Sequence, residues 1–203
     1  MDNRLVGSEM CIRDRLGDSA FTLAAGANDT TTLRVTPPKG TEAKNGYTLI
    51  VKATSEDDST ITTTNIFINV LQIYEVSVQV SGESSKKGDP GDELIFEMTV
   101  KNKGNGEDTV SLSLEGAKAS WASIVDEVEL ASGESKTVNL TVNIDDDATV
   151  GDNDIIVNGT SEDNPSAYDT GTVKVSVTKQ FKVDVVVSSK SGDPGTTVEY
   201  DVR

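Results

Sequence analysis

Histidine is absent from this 203-residue chain, and its single cysteine, Cys11, stands near the start. A base-activated Ser or Cys nucleophile therefore lacks its imidazole. Imidazole and thiolate metal ligands are missing too, and one cysteine makes no internal disulfide. Aromatic residues are only 4% of the chain, with one tryptophan, so few rings are there to line a sugar or cofactor site. No run approaches the roughly 20 apolar residues that span a bilayer. Basic residues are scarce: 18 Lys and Arg face 34 Asp and Glu, a net charge of −16. Such a surface repels phosphates, which excludes nucleic-acid binding and argues against anionic membranes. A carboxylate pair could still serve glycosidase chemistry. Among 34 acids, however, close pairs arise by chance. The expectation is a protein that is not an enzyme.

What is present is short alternation. Hydrophobic residues, 35% of the chain, fall mostly in Val, Ile and Leu runs too patterned for a disordered chain. The opening MDNRLVGSEMCIRDR shows neither strand nor helix period and lacks the apolar stretch of a signal peptide. Its run VGSEMCIRDR looks like translated sequencing-adapter read-through. Residues 1–16 are therefore set aside as a non-native, disordered segment, and Cys11 goes with them.

The rest repeats itself. GDPG stands at Gly88–Gly91 and at Gly192–Gly195, an offset of 104 (192 − 88). TSED stands at Thr54–Asp57 and at Thr160–Asp163, an offset of 106 (160 − 54). LAAGANDTTTLRV (Leu23–Val35) matches LASGESKTVNLTV (Leu130–Val142), and YEVSVQV (Tyr74–Val80) matches FKVDVVV (Phe181–Val187). The changes in offset read as loop insertions or deletions. The unit is about 105 residues, an ordinary domain size. The expected organisation is the C-terminal half of one repeat over 17–71, a complete repeat over 72–179 and the start of a third over 180–203.

Seven strands are expected in the complete unit: Ile73–Val80, Glu93–Lys101, Thr109–Leu114, a fourth around Ile124–Leu130, Lys136–Ile144, Asp154–Gly159 and Thr172–Thr178. Each alternates apolar and polar residues, so one face packs and the other is wet. Asp89-Pro90-Gly91-Asp92 suits a type II turn. Asn102-Lys103-Gly104-Asn105-Gly106 reads as a tight hairpin. Ala131-Ser132-Gly133-Glu134 joins the fourth and fifth strands. No segment carries a 3.6-residue period. The fold class expected is all-β: tandem immunoglobulin-like antiparallel sandwiches, one complete and two truncated.

GDPGDELIFEMTVKNKGNGEDTVSLSL, Trp121, LASGESKTVNLTV and IDDDATVGDNDIIV follow one another as in a known pattern. In this order they resemble the immunoglobulin-like repeats called NPCBM-associated or alpha-galactosidase-associated domains, and are similar to CARDB cell-adhesion-related repeats. The resemblance implies a non-catalytic module of secreted or surface proteins, with no catalytic residues to carry over.

Candidate sites are few. Asp145, Asp146, Asp147 and Asp152 in one stretch, and Glu162 and Asp163 in another, offer oxygens for a calcium ion; the plain alternative is a solvated acidic loop. Glu56-Asp57-Asp58 is the first copy's counterpart of the second stretch. Trp121 is either a core residue closing one end of the sandwich or a platform for a sugar ring. Asn28, Asn139 and Asn158 head N-glycosylation sequons, the last two alternating with Leu140 and Val157 and so expected to face outward.

The function expected is a structural or adhesion repeat, a spacer or stalk, of a large extracellular or cell-surface protein. Its partners are the neighbouring repeats and envelope glycans or proteins, with a membrane anchor, if any, outside this sequence. The alternative is an accessory module attached to a secreted glycoside hydrolase or protease.

Overall fold

The computed structural model describes residues 13–17, 20–57, 59–179 and 189–200. Cys11, Asp58 and the Phe181–Val187 match lie outside them. Among these described residues thirteen strands run in order: β1 (Arg13–Leu16), β2 (Leu33–Thr36), β3 (Lys44–Thr54), β4 (Ile61–Val70), β5 (Val76–Ser81), β6 (Ser85–Gly88), β7 (Glu93–Asn102), β8 (Asp108–Glu115), β9 (Ala122–Ser123), β10 (Glu127–Leu130), β11 (Ser135–Asn143), β12 (Gly151–Ser161) and β13 (Tyr168–Val177). A 3₁₀ turn, Ala119–Trp121, interrupts them.

β5 to β13 form a two-layer sandwich. One sheet has the order β5-β7-β11-β9 and the other β10-β8-β12-β13-β6. That is the A-B-E-D sheet against C-F-G of an immunoglobulin-like fold, with β10 beside the C strand and β6 beside G. The alternation explains why. Phe96, Met98 and Val100 on β7 meet Leu140 and Val142 on β11 from one layer, and Val110, Ile155, Val157, Val173 and Val175 from the other, all essentially unexposed. Each such side chain contributes about 1.5–3 kcal/mol of burial. The buried core cluster lies wholly within Val76–Val177, so the sandwich closes its own core. The edge strand β5 is closed off by Asp169 of β13, whose carboxylate accepts the Val78 N–H at 2.9 Å.

Several expectations shift. The first strand begins at Val76, not Ile73, because residues 73–75 pair with the loop after β7: Lys103 N–H donates to Glu75 O (2.7 Å) and Asn105 N–H to Ile73 O (3.2 Å). That loop is not a hairpin. β7 is already paired on both sides, by β5 and β11, so β8 joins the opposite sheet. The chain crosses between layers around the buried Asn102. Its Nδ2 donates to Gly106 O and Leu130 O (2.7 and 3.1 Å), and its Oδ1 accepts the Gly104 N–H (2.8 Å). The fourth strand, expected around Ile124–Leu130, shortens to β10, which pairs with β8; β9, just before it, pairs with β11, so residues 124–126 change sheets. β6, unforeseen, pairs parallel with β13 through the polar stretch SKKG. The DPGD turn forms as expected, with Gly91 at φ 90° and Asp92 N–H donating to Asp89 O at 3.1 Å.

Outside the sandwich, Arg13–Leu16, grouped by sequence with the disordered segment, ladders against β2. A backbone ladder needs no side-chain alternation. β3 and β4 form an antiparallel pair with a bulge between Lys44 and Tyr47, where Gly46 sits at φ 78°. They match β12 and β13 in length, 11 and 10 residues, at an offset of 107 from Lys44 to Gly151 (151 − 44) and from Ile61 to Tyr168 (168 − 61). Beyond the bulge Thr48 pairs with Phe67 as Asp154 pairs with Lys174, so the offset along β3 falls to 106 (154 − 48). This one-residue change in the repeat is a β-bulge, not a loop deletion.

Residues 189–200 copy 85–96 at an offset of 104 (192 − 88). Gly195 repeats the φ of 90°, and Thr196 N–H donates to Asp193 O at 3.0 Å. Lys190 Nζ donates to Glu199 O at 2.6 Å and lies 5.8 Å from the Tyr200 ring centre. Lys86 Nζ does the same to Ile95 O at 2.5 Å and lies 5.3 Å from the Phe96 ring centre.

Candidate functional site

The sandwich presents two ends. At the upstream end, where the chain arrives from β4, the Asn102–Gly106 loop grips the incoming strand. Asn105 is the hub, 7% exposed. Its Oδ1 accepts the Ile73 N–H at 2.6 Å, and its Nδ2 donates to Leu71 O (3.1 Å) and Thr41 O (2.9 Å). Its backbone carbonyl accepts the Ala43 N–H at 2.7 Å. Gln72 Nε2 donates to Glu107 O at 2.6 Å. The approach demands glycine: a Cβ on Gly104 would lie 2.3 Å from Ile73 O, and one on Gly106 would lie 2.7 Å from the Gln72 side chain. One amide thus holds three backbone segments together: the turn before β3, the residues after β4, and the crossover loop.

The calcium candidates divide between the ends. Asp145, Asp146, Asp147 and Asp152 lie downstream, Glu162 and Asp163 upstream, separated by the length of β12, about 30 Å. Asp145 is taken by Trp121, whose Nε1–H donates to Oδ2 at 2.6 Å. Asp146 Oδ1 stands over Gly91, 2.8 Å from where a Cβ would be. Asp152 accepts the Ser176 hydroxyl at 2.7 Å and faces Lys174 Nζ at 3.6 Å. That hydroxyl, and then that ammonium, hold its carboxyl below the usual range. A lysine beside an acid cluster opposes a second cation. Among the described residues no three acidic side chains converge as metal ligands. The turn carrying Asp145–Asp147 has an uncharged-to-basic counterpart: Ala148 N–H donates to Asp145 O, as Thr41 N–H does to Pro38 O in the PPKG stretch.

Trp121 is 4% exposed, with Lys118 Nζ 4.6 Å from its ring centre, so it closes the core and has no free face for a sugar. Asn28 and Asn139 are exposed. Asn158 points outward from the middle of β12 but is half-buried between Ser113 and Thr170, and its Oδ1 is enclosed without a partner.

Asp108, which sequence reasoning did not single out, is 3% exposed. Its Oδ1 accepts the Ser161 hydroxyl at 2.9 Å; its Oδ2 is buried without a partner. Burial, chiefly, and the charge of Asp163 raise its pKa, against the opposing hydrogen bonds from Ser161 and Thr109. Ser161 Oγ in turn accepts the Asn164 N–H at 3.1 Å, so this carboxyl anchors the loop between β12 and β13. An open depression of about 370 Å³ lies beside Ser81, Glu83, Lys86, Ile95, Phe96 and Glu97. With Phe96 only 1% exposed, it offers no aromatic wall.

No family model matches the chain, and no curated protein sequence does. Solved structures similar to it include a family 123 glycoside hydrolase from Clostridium perfringens, at 10% identity and a TM-score of 0.44, covering 53% of this chain but only 28% of that one. Another is a CARDB domain from Pyrococcus furiosus in complex with di-metal ions, at 17% identity and a TM-score of 0.36, covering 52% of this chain and 89% of that one. A human ASH/PapD-like domain aligns at 15% identity and a TM-score of 0.35, covering 54% and 87%. Scores this low carry no argument; the fold rests on the strand order and contacts above.

Proposed function

We propose that the chain is a run of non-catalytic, immunoglobulin-like spacer repeats from a secreted or cell-surface protein, of the NPCBM-associated or CARDB-like kind. The observation that carries this is the upstream joint. The residues linking β4 to β5 are laddered against the Lys103–Asn105 loop, which leaves the chain no slack between one repeat and the next. Short, hydrogen-bonded junctions turn beads into a stiff rod that sets a distance. The acidic surface keeps such rods soluble and apart. Immunogold labelling of source cells with an antibody against residues 72–179 tests the role. Grains in a layer at fixed height outside the envelope are expected. Grains confined to the cell interior would overturn it, and grains that follow a secreted hydrolase would move the assignment to an accessory module of that enzyme.

A further inference from the structure

We infer that the downstream end of the sandwich, the Ala148–Val150 edge with Thr178, is the docking surface for the asparagine–glycine loop of a following repeat. This rests on the reading of the chain as a repeat array. The upstream joint supplies the template. There the loop contacts Thr41 O, Ala43 N–H and Leu71 O. At the offset of 107 that aligns β3 with β12 and β4 with β13, these positions become Ala148, Val150 and Thr178. The preceding turn matches too, since Ala148 N–H donates to Asp145 O at 3.0 Å as Thr41 N–H donates to Pro38 O at 3.1 Å. Ala43, under the loop, is half-buried, whereas the apolar side chain of Val150 is 62% exposed. A repeat does begin downstream, because residues 189–200 reproduce the turn and lysine contacts of 85–96. The occupant is thus a loop with two features of Asn102–Gly106: glycines that let backbones touch, and an asparagine that both donates to and accepts from main chain.

Amide hydrogen exchange read by NMR tests this. The sandwich holds its whole core within Val76–Val177, so residues 72–179 serve as the single repeat. The comparison is a chain in which residues 72–178 run directly into a second copy of 72–179, which reproduces the Leu71-Gln72 junction as Thr178-Gln72. The Val150 amide of the first copy should exchange about tenfold more slowly than in the single repeat. Asn105→Ala in the second copy alone should abolish that slowing while the Val175 amides stay protected. Asn105→Asp, nearly isosteric, keeps the acceptor and loses both donor bonds, and should abolish most of it. In the 203-residue chain, Asn105→Ala should speed exchange at Ile73 and Ala43. Equal Val150 exchange in single and double chains would overturn the docking surface, and an Asn105→Ala that leaves Ile73 and Ala43 unchanged would overturn the template. Either result leaves the immunogold outcome, and hence the spacer reading, separately decided.

Discussion

Trp121 Nε1 lies 2.6 Å from Asp145 Oδ2, and this one hydrogen bond ties the 3₁₀ turn after β8 to the turn after β11. It also satisfies the only polar atom of a ring that is otherwise core. Asp145→Ala leaves the indole N–H without that acceptor and should destabilise the sandwich by about 1.5–3 kcal/mol, the cost of a bond to a charged acceptor. Asp145→Asn, which still presents an oxygen, should lose less. Since Trp121 is the sole tryptophan, its fluorescence during urea unfolding reports both variants directly.

Asp108 is held at a raised pKa chiefly by burial. Its stabilising contribution is complete below the unfolded value of 3.8 and is lost as pH rises through the folded value. Asp108→Asn removes the charge and keeps an acceptor for Ser161. The variant should therefore gain on the wild type at neutral pH, with the gain shrinking as pH falls towards 4. Paired denaturant titrations across that range check it; a constant difference would refute it.

Two glycines inside the sandwich separate rigid from pliable packing. A Cβ on Gly159 would lie 2.6 Å from Val78 Cγ2 and 3.3 Å from both Leu112 and Val110. One on Gly171 would lie 2.7 Å from Met98 Cε, the tip of a flexible side chain. Gly159→Ala should cost about 2–3 kcal/mol of overpacking and Gly171→Ala about 1 kcal/mol. Similar melting temperatures for the two variants would contradict this.

The split of the calcium candidates between the two ends, with Lys174 beside Asp152, leads to a fourth expectation. Thermal melts of residues 72–179 in millimolar calcium and in excess EDTA should superimpose. A melting temperature raised by several degrees in calcium would show that a site does assemble.

The strands that packing dictates were legible in the sequence. β7, β11 and β13 each bury alternate residues, and that period is written in Phe96-x-Met98-x-Val100 or Val173-x-Val175-x-Val177. β6 was not legible, because Ser85–Gly88 is held by backbone pairing at an edge and needs no apolar period. The Asn102–Gly106 stretch reads as a turn in the sequence but not as a crossover. Glycine and asparagine announce a change of direction, and which sheet takes the next strand is settled by β7 having both neighbours already. Two asparagines three residues apart were the available sign that the loop binds main chain. Asp108 was hidden for a simpler reason: one acid among 34 has no signature until its burial is known.

The rims of the sandwich govern how copies behave when crowded flank to flank. β6, four residues long with Lys86 and Lys87, is too short and too charged to template a neighbour's ladder. On the other sheet, the Asp169 carboxylate already occupies the Val78 N–H. The two remaining edges, β9 and β10, are only two and four residues long, so molecules that meet sideways at high density find little seam to zip together and slide past one another.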